Sequence, residues 1–171
     1  AGDNIGGLIG QNDEGLVTAC TTYGEVNGSG ADSDYVGGII GWNAVTGIVT
    51  ECNNYGNVSA KGTSNDMTGG IAGRNLGKIE NCSNNVIIVS GRGDVGGIVG
   101  RNAGTISNCT SHANVTGSSS NIGGIVGKTD GGIIINCHSK GNISGISFVG
   151  GIVGETYDSI MYSSHIGDVN A

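Results

Sequence analysis

The chain has 171 residues, of which 36 are glycine, none is proline and seven are aromatic, and its formal net charge is −7. This acidic balance argues against a nucleic-acid-binding protein and a basic membrane-surface patch, since both need clustered positive charge. No apolar run approaches the ~20 residues of a membrane-spanning helix, so membrane insertion is not predicted. The length favours a single domain over residues 1–171, which we expect to be a fragment of a larger protein.

Six near-copies of the phrase Gly-Gly-(Ile/Leu)-x-Gly divide the chain into repeats. A fixed period of this size is typical of a solenoid, in which each repeat buries its apolar face against its neighbours. The predicted repeats are residues 1–33, 34–65, 66–93, 94–120, 121–147 and 148–171. The first glycines of the phrases, spaced 31, 32, 27, 27 and 27 residues apart, are Gly6, Gly37, Gly69, Gly96, Gly123 and Gly150.

Each repeat contains three short apolar pieces bounded by Gly or Asn. β-Branched residues between such residues favour strands and tight turns, and no segment has helical spacing over a useful length. The sequence therefore predicts an all-β fold: a right-handed parallel β-helix, or β-solenoid, of about six coils of 27–32 residues with three strands each. The repeated glycines are expected at corners that need a positive φ. The extra residues around 29–33 and 61–65 are expected to bulge from a corner as loops.

Equivalent positions in the repeats predict three inward columns of mostly aliphatic side chains. Such columns would run along the solenoid axis and hold successive coils together. The first column is Ile5, Val36, Thr68, Val95, Ile122 and Val149. The second column is Val17, Val49, Ile79, Ile106, Ile134 and Ile160. The third column is Val26, Val58, Ile88, Val115, Ile143 and Val169.

Cysteine forms a further column. An odd count without a CxxC pair is a poor disulfide or zinc framework, and stacked residues have parallel Cβ directions that disfavour a disulfide. We expect buried free thiols that act as small hydrophobic side chains, with a disulfide or a metal site as the alternatives. The column comprises Cys20, Cys52, Cys82, Cys109 and Cys137, with Ser163 in the last repeat.

Two polar columns are interpreted as structural. Asn81, Asn108 and Asn136 directly precede their cysteines and are expected at a corner, where stacked amides bond one another and the turn backbone. The second column is expected to cap another turn. Its members are Asn12, Asn43, Asn75, Asn102, Thr129 and Thr156.

The repeat resembles the GLUG repeat family. The shared pattern is Gly-(Leu/Ile)-x-Gly, then x-Asn-x-Gly-x-Ile-x-Asn-Cys, then Gly-x-Val-x-Gly. It is matched best from Gly97-Ile98-Val99-Gly100 through Asn108-Cys109 to Val115-Thr116-Gly117, and the resemblance covers essentially the whole chain. Members of this family are modules of large secreted or surface-anchored bacterial proteins, including adhesins and regions attached to immunoglobulin A peptidases. The resemblance implies an extracellular, bacterial cell-surface location and carries over no catalytic residue.

The position directly after each glycine phrase yields the candidate binding surface. This column puts the only tryptophan beside three basic residues on an otherwise acidic protein. An aromatic side chain next to a basic stripe could bind an acidic glycan or a protein, whereas the structural alternative is an exposed corner. The candidate stripe is Trp42, Arg74, Arg101 and Lys128.

Aspartates before the double glycines are the candidate metal ligands. If Asp34, Asp66 and Asp94 stack, their carboxylates would lie close enough to bind Ca²⁺ or to share a proton. Solvated turn residues are the alternative, and no other cofactor is predicted. No nucleophile–base motif is present, so no catalytic residue is predicted.

The leading prediction is a non-enzymatic spacer or adhesive module of a bacterial extracellular or cell-surface protein. Its partners would be a host or environmental glycan or protein, with flanking domains or other solenoid ends covering its open edges, which leaves end-to-end assembly as a hypothesis. The alternatives are a β-helix enzyme that acts on polysaccharide through these aspartates and a calcium-stabilised glycan-binding module. Ice binding is less favoured because no outward column is a regular threonine ladder.

Overall fold

The computed structural model of the protein describes residues 3–29, 35–62, 66–86, 88–90 and 93–171. In these residues thirty strands form five parallel sheets of six strands each, and none of them forms a helix. Each repeat contributes one strand to each sheet, so every strand pairs with the equivalent strands of adjacent coils. This arrangement confirms the predicted parallel β-solenoid. The described part of the chain contains no helix that is long and apolar enough to cross a membrane.

The first two sheets flank the glycine phrase. The second glycine of the phrase and the residue after it form the bend between them, and the bend also bonds to the next coil, as from Ile98 N to Ile125 O at 2.9 Å. The first sheet comprises Asn4–Gly6, Tyr35–Gly37, Asp66–Gly69, Gly93–Gly96, Ser120–Gly123 and Ser147–Gly150. The second sheet comprises Ile9–Asn12, Ile40–Asn43, Ala72–Asn75, Val99–Asn102, Val126–Thr129 and Val153–Glu155.

The remaining three sheets complete each coil. The third sheet comprises Leu16–Thr18, Ile48–Thr50, Lys78–Glu80, Thr105–Ser107, Ile133–Ile135 and Ile160–Met161. The fourth sheet comprises Thr21–Thr22, Asn53–Asn54, Ser83–Asn84, Thr110–Ser111, His138–Ser139 and Ser164–His165. The fifth sheet comprises Val26–Gly28, Val58–Ala60, Ile88–Ser90, Val115–Gly117, Ile143–Ser144 and Val169–Asn170.

The predicted number of three strands per coil was wrong, because each coil contributes five strands to the described sheets. The apolar piece around residues 95–99 looks like one strand, but the Gly-Gly bend divides it between the first and second sheets. Strands of the fourth sheet have only two residues and are mostly polar, as in Ser83–Asn84. They therefore lack the alternating apolar signal by which a strand is identified in a sequence.

The register confirms that the three predicted columns stack, and their described side chains are buried or partly buried except Ile160 and Val169, which lie on edge strands and are exposed. In the third sheet Ile106 pairs with Ile79 and Ile134, and all three side chains are fully buried. Equivalent residues pair in the same way around Val95 in the first sheet and around Val115 in the fifth. Burying an isoleucine contributes roughly 1.5–3 kcal/mol, so these columns are the main source of cohesion between coils.

The buried side chains form two compartments rather than one. The larger compartment joins bend residues such as Ile98 to the inward columns of the second and third sheets and to the cysteines. The smaller compartment lies between the first and fifth sheets, around Val95 and Val115. Alignment of the repeats identifies the members of each column, but it does not show which columns face each other.

The glycines of the phrase permit close approach of two backbones, so the predicted need for a positive φ was wrong. A Cβ on Gly100 would lie 2.5 Å from the nitrogen of Thr68 and 2.7 Å from the carbonyl carbon of Met67, in the preceding coil. The third glycine of the phrase thus lets the second sheet rest directly on the first sheet of the coil before it. Among the described glycines, a left-handed φ is found at Gly93, Gly131 and Gly167.

The corner before the cysteine column has a left-handed backbone, although no glycine occupies it. Here φ lies between 50° and 56°, which confirms the corner that was predicted for Asn81, Asn108 and Asn136. Asparagine tolerates this conformation better than most L-residues, whereas alanine, glutamate and tyrosine are strained in it. The residues at this corner are Ala19, Glu51, Asn81, Asn108, Asn136 and Tyr162.

Replacing Glu51 by asparagine should therefore raise the free energy of unfolding by about 1 kcal/mol, because it relieves the strain of a left-handed glutamate. Urea denaturation measures this change. Glu51→Ala removes the same charge but keeps a strained backbone, so it should bring no comparable gain. Equal gains in the two variants would mean that charge, and not backbone conformation, sets the stability of this corner.

Candidate binding seam

Two outward columns of side chains meet across the glycine bend and form a seam along the solenoid. The close approach of the two sheets brings the columns into contact, as where the amide of Asn4 donates to Gln11 Oε1 at 2.8 Å. From the first sheet the seam takes Asn4, Tyr35, Met67, Asp94 and Asn121. From the second sheet it takes Gln11, Trp42, Arg74, Arg101, Lys128 and Glu155.

The second column of the seam contains the four residues of the predicted stripe. The register pairs Trp42 with Arg74, then Arg74 with Arg101, and then Arg101 with Lys128. All four side chains are partly exposed. The stripe is therefore a continuous surface column, in the order that the repeats predicted.

Two of the three cations in this column are already paired with carboxylates. Lys128 Nζ lies 2.8 Å from Glu155 Oε2, and this bond raises the pKa of Lys128 and lowers the pKa of Glu155. Arg101 Nε lies 2.5 Å from Asp130 Oδ2 and 3.5 Å from Asp94 Oδ2. These two side chains consequently offer little uncompensated positive charge to a ligand.

Arg74 is different, because its neighbours are aromatic. Its guanidinium lies 5.7 Å from the ring centroid of Tyr35 and donates to Tyr35 Oη at 3.3 Å. Tyr35 in turn contacts Trp42 edge-to-face, with ring centroids 6.1 Å apart. In the part of the chain that the structure describes, no carboxylate forms an ion pair with Arg74. Tyr35, Trp42 and Arg74 thus form one cluster, whose cation has no carboxylate partner among the described residues.

Tyr35 was not predicted as a site residue, although the sequence contains a signal for it. Tyr35 lies two residues before the double glycine, at the same offset as Asn4, Met67 and Asp94 in their repeats. Comparison of these offsets would have identified the first column of the seam. The sequence does not show that this column contacts the second one. That contact depends on the close approach of the two sheets at the third glycine of the phrase.

The structure does not stack the predicted metal ligands in one column. Asp66 pairs with Gly93, whereas Asp94 pairs with Met67, because Asp94 is one residue nearer to its double glycine. Successive side chains of a strand point to opposite faces, so the Asp66 and Asp94 carboxylates do not converge. Asp34 lies outside the described residues. Within the described ranges, no three His, Cys, Asp or Glu side chains are grouped as metal ligands.

Asp94 serves instead as a buried polar group of the seam. Burial raises the pKa of its carboxyl, opposed by the 2.7 Å hydrogen bond from the Asn121 amide and by the charge of Arg101. Because burial is the largest of these effects, the folded protein holds this proton more tightly than the unfolded chain does. The contribution of Asp94 to stability is then fully present below its ordinary pKa of 3.8 and is lost as pH rises through the raised value.

Asp94→Asn should therefore gain stability relative to the unsubstituted protein as pH rises, because asparagine carries no titrating proton. The measurement is the difference in unfolding free energy between the two proteins, by urea denaturation at several pH values between about 3 and 7. The difference should move in favour of the variant over this range. A difference that stays constant, or that moves the other way, would refute the burial effect on Asp94.

The cysteine column lies inside the larger compartment. All five cysteines are free thiols, of which Cys20 is partly exposed and the others are buried. Each buried thiol donates to the carbonyl two residues earlier, as from Cys109 to Ser107 at 3.2 Å. Hydrogen bonding to the next thiol of the column, together with burial, raises the pKa of Cys52 and of Cys109. These side chains act as small hydrophobic groups of the core.

The second polar column predicted from the sequence is a buried asparagine ladder. Asn43 donates to Asn75 Oδ1 at 2.9 Å, and Asn75 donates to Asn102 Oδ1 at 2.8 Å. Each amide also donates to a turn carbonyl, as from Asn75 to Gly77 O at 3.2 Å. The amides thus satisfy buried turn carbonyls in successive coils.

The asparagines that precede the cysteines form a weaker ladder. Asn81, Asn108 and Asn136 are exposed, and Asn136 donates to Asn108 Oδ1 at 2.7 Å. Another buried ladder was missed in the sequence, because its members change identity along the chain. Two residues after the cysteines, Thr22 donates to Asn54 Oδ1 at 2.7 Å and Asn54 donates to Asn84 Oδ1 at 3.0 Å.

Comparison with known proteins agrees with the repeat pattern. The family model described as the GLUG motif matches residues 91–116 and 118–144, which confirms the resemblance for two consecutive copies. These copies contain Arg101, Asp94 and Lys128 of the seam. Neither the curated proteins nor the solved structures include a significant match to the chain.

Proposed function

We propose that this chain, whose residues 91–144 carry two GLUG motifs, is a non-enzymatic repeat module of a bacterial extracellular or cell-surface protein. In this proposal it acts as a rigid spacer that presents an adhesive surface. The observation that carries the proposal is the register, which joins equivalent residues of adjacent coils in all five sheets.

The spacer role is supported by the way in which the inward side chains of each coil contact the neighbouring coils. Inward columns bury their residues against the coils above and below, and the two buried polar ladders fix the same register. Each added coil therefore extends the column by about 4.8 Å without a new kind of contact. A module of this type sets a distance between whatever is attached to its two ends.

The adhesive role is assigned to the outward seam. It combines aromatic and cationic side chains on a protein whose formal net charge is −7. Aromatic and arginine side chains are enriched where proteins bind partners. The proposed partner is a host or environmental glycan or protein.

The outermost rungs of the solenoid also support a proposal about assembly. Strands such as Asn4–Gly6 and Ser147–Gly150 have one hydrogen-bonded neighbour each in the described sheets. Open strand edges invite pairing, so we propose that flanking domains, further coils or another copy cover them. Size-exclusion chromatography with light scattering over a range of concentrations tests the last case, and a mass that never exceeds the monomer would argue against pairing of copies.

Duplication of residues 94–147 tests the spacer role directly. The insert contains two complete repeats of 27 residues, so the longer protein should stay folded and lengthen by about 10 Å in small-angle X-ray scattering. A control that duplicates only residues 94–133 breaks the register and should fold poorly. If both insertions are tolerated equally, or if neither lengthens the particle, the chain is not a modular spacer.

A further inference from the structure

We infer that the cluster of Tyr35, Trp42 and Arg74 binds the carboxylate of an acidic sugar, a uronic acid or a similar carboxylated ring. This inference deepens the proposed adhesive function and rests on it. It assigns the ligand to one part of the seam rather than to the whole stripe.

Charge compensation singles out Arg74. Asp94 and Asp130 pair with Arg101, and Glu155 pairs with Lys128, whereas the guanidinium of Arg74 contacts the Tyr35 ring and hydroxyl. A guanidinium can present two parallel N–H donors to a carboxylate, and such charge-assisted bonds are stronger than neutral ones. A ligand carboxylate at Arg74 would therefore displace no carboxylate of the described chain.

The aromatic neighbours favour a sugar ring over a simple anion. Tyr35 and Trp42 are both partly exposed and meet edge-to-face beside Arg74, so apolar ring surface lies next to the charge. A pyranose uronic acid carries a carboxylate and an apolar C–H face on one rigid ring, which costs little conformational entropy to fix. An acidic peptide would supply the carboxylate but on a flexible side chain without this face.

The indole of Trp42 provides a second, independent observation. Its Nε1 is enclosed and has no hydrogen-bond acceptor among the described residues. An unsatisfied buried donor costs about 1–3 kcal/mol, so native proteins rarely retain one without a reason. If the indole of Trp42 rotated outward on binding, a sugar oxygen would accept a hydrogen bond from this donor.

The net charge of the protein makes binding of an anionic sugar depend on contacts at the cluster itself. Because the chain carries a formal charge of −7, long-range electrostatics oppose the approach of an anionic ligand. Binding must then come from short-range bonds at the cluster. Substitution of Arg74 should consequently weaken binding much more than removal of a distant positive charge does.

Isothermal titration calorimetry with a hexamer of galacturonic acid tests the inference. Arg74→Gln should weaken binding tenfold or more, since a hydrogen bond to a charged group is lost. Lys140→Gln removes an equal charge from an exposed position outside the seam and should leave the affinity within about twofold. Arg74→Lys keeps the charge but loses the planar fork, so an intermediate loss is expected, and melting curves of all variants verify that they fold.

Other ligands distinguish the possible sources of the anion. The methyl-esterified hexamer has the same rings without the charge and should bind at least tenfold more weakly. A sulfated oligosaccharide or a glutamate hexapeptide that binds more tightly than the uronate would overturn the assignment to a carboxylated sugar. Equal affinities of the unsubstituted protein and Arg74→Gln would also overturn it, as would the absence of any binding by the unsubstituted protein.

The coil-duplication experiment separates failure of this inference from failure of the proposed function. A duplicated protein that lengthens as expected but binds no uronate would leave the spacer role standing and reject the sugar site. A protein that binds uronate through Arg74 but does not tolerate complete extra coils would reject the modular spacer alone.

Discussion

Gly100→Ala should destabilise the protein by about 3 kcal/mol or more, because one added methyl group would overlap the backbone of the preceding coil. The new Cβ would lie 2.5 Å from the nitrogen of Thr68 and 2.8 Å from the oxygen of Gly73, which are backbone atoms that cannot move aside independently. The stacking of the second sheet on the first would have to open. Urea denaturation followed by circular dichroism measures the loss.

Gly24→Ala is the matched control for this substitution. A Cβ on Gly24 meets no atom within 4 Å, and Gly24 has no left-handed φ. Its unfolding free energy should therefore change by less than about 0.5 kcal/mol. Similar losses in the two variants would indicate a general cost of replacing glycine and would contradict the close-approach explanation.

Asn75→Ala should cost about 3 kcal/mol, because it breaks the buried asparagine ladder at its centre. The substitution removes the acceptor for the amide of Asn43 and the donor to Asn102 and to the carbonyl of Gly77. Alanine leaves these groups buried without their partner, and each such group carries a desolvation cost. The midpoint and slope of urea denaturation give the loss.

Asn27→Ala makes the same chemical change at an exposed ladder. Asn27 accepts a hydrogen bond from Ser59 on the outside of the fifth sheet, where water can replace the lost partner. A change below about 0.5 kcal/mol is expected. Were Asn27→Ala as damaging as Asn75→Ala, burial of the ladder could not be the reason for its importance.

The fold could be predicted largely because the repeats can be compared with one another. Once the glycine phrases are aligned, Ile79 and Ile106 lie ten residues after the first glycine and Ile134 lies eleven residues after it. Allowing for one added residue brings the three to equivalent positions, and stacking of the coils buries all of them. The count of five strands was not predictable in the same way. A two-residue strand such as Ser83–Asn84 is defined by its pairing with neighbouring coils, and this pairing leaves no local pattern.

The role of glycine shows a second limit of the sequence. A repeated glycine is compatible with a left-handed turn or with close packing, and the sequence alone favours the turn. In the structure the left-handed corner holds Glu51 and Asn81, while Gly100 is needed for packing against another coil. The distinction depends on contacts between residues about one repeat apart.

The candidate site was predicted in part. The constant offset of Trp42, Arg74 and Lys128 after the glycine phrase predicts that they form a column, and the register of the second sheet places them in one. The offset does not show which of these cations are paired with carboxylates, because Asp130 reaches Arg101 from outside the column. Compensation of charge is a three-dimensional property, so the sequence could not separate Arg74 from the other cations.

Methyl NOE spectroscopy on deuterated protein with labelled isoleucine methyl groups is the most direct measurement of the stacked column. Ile79, Ile106 and Ile134 lie in consecutive coils and are partners in the third sheet. Cross-peaks from Ile106 to both Ile79 and Ile134, residues distant in sequence, are the expected result. Assigned spectra that lack both cross-peaks while the protein is folded would contradict the solenoid and every proposal built on it.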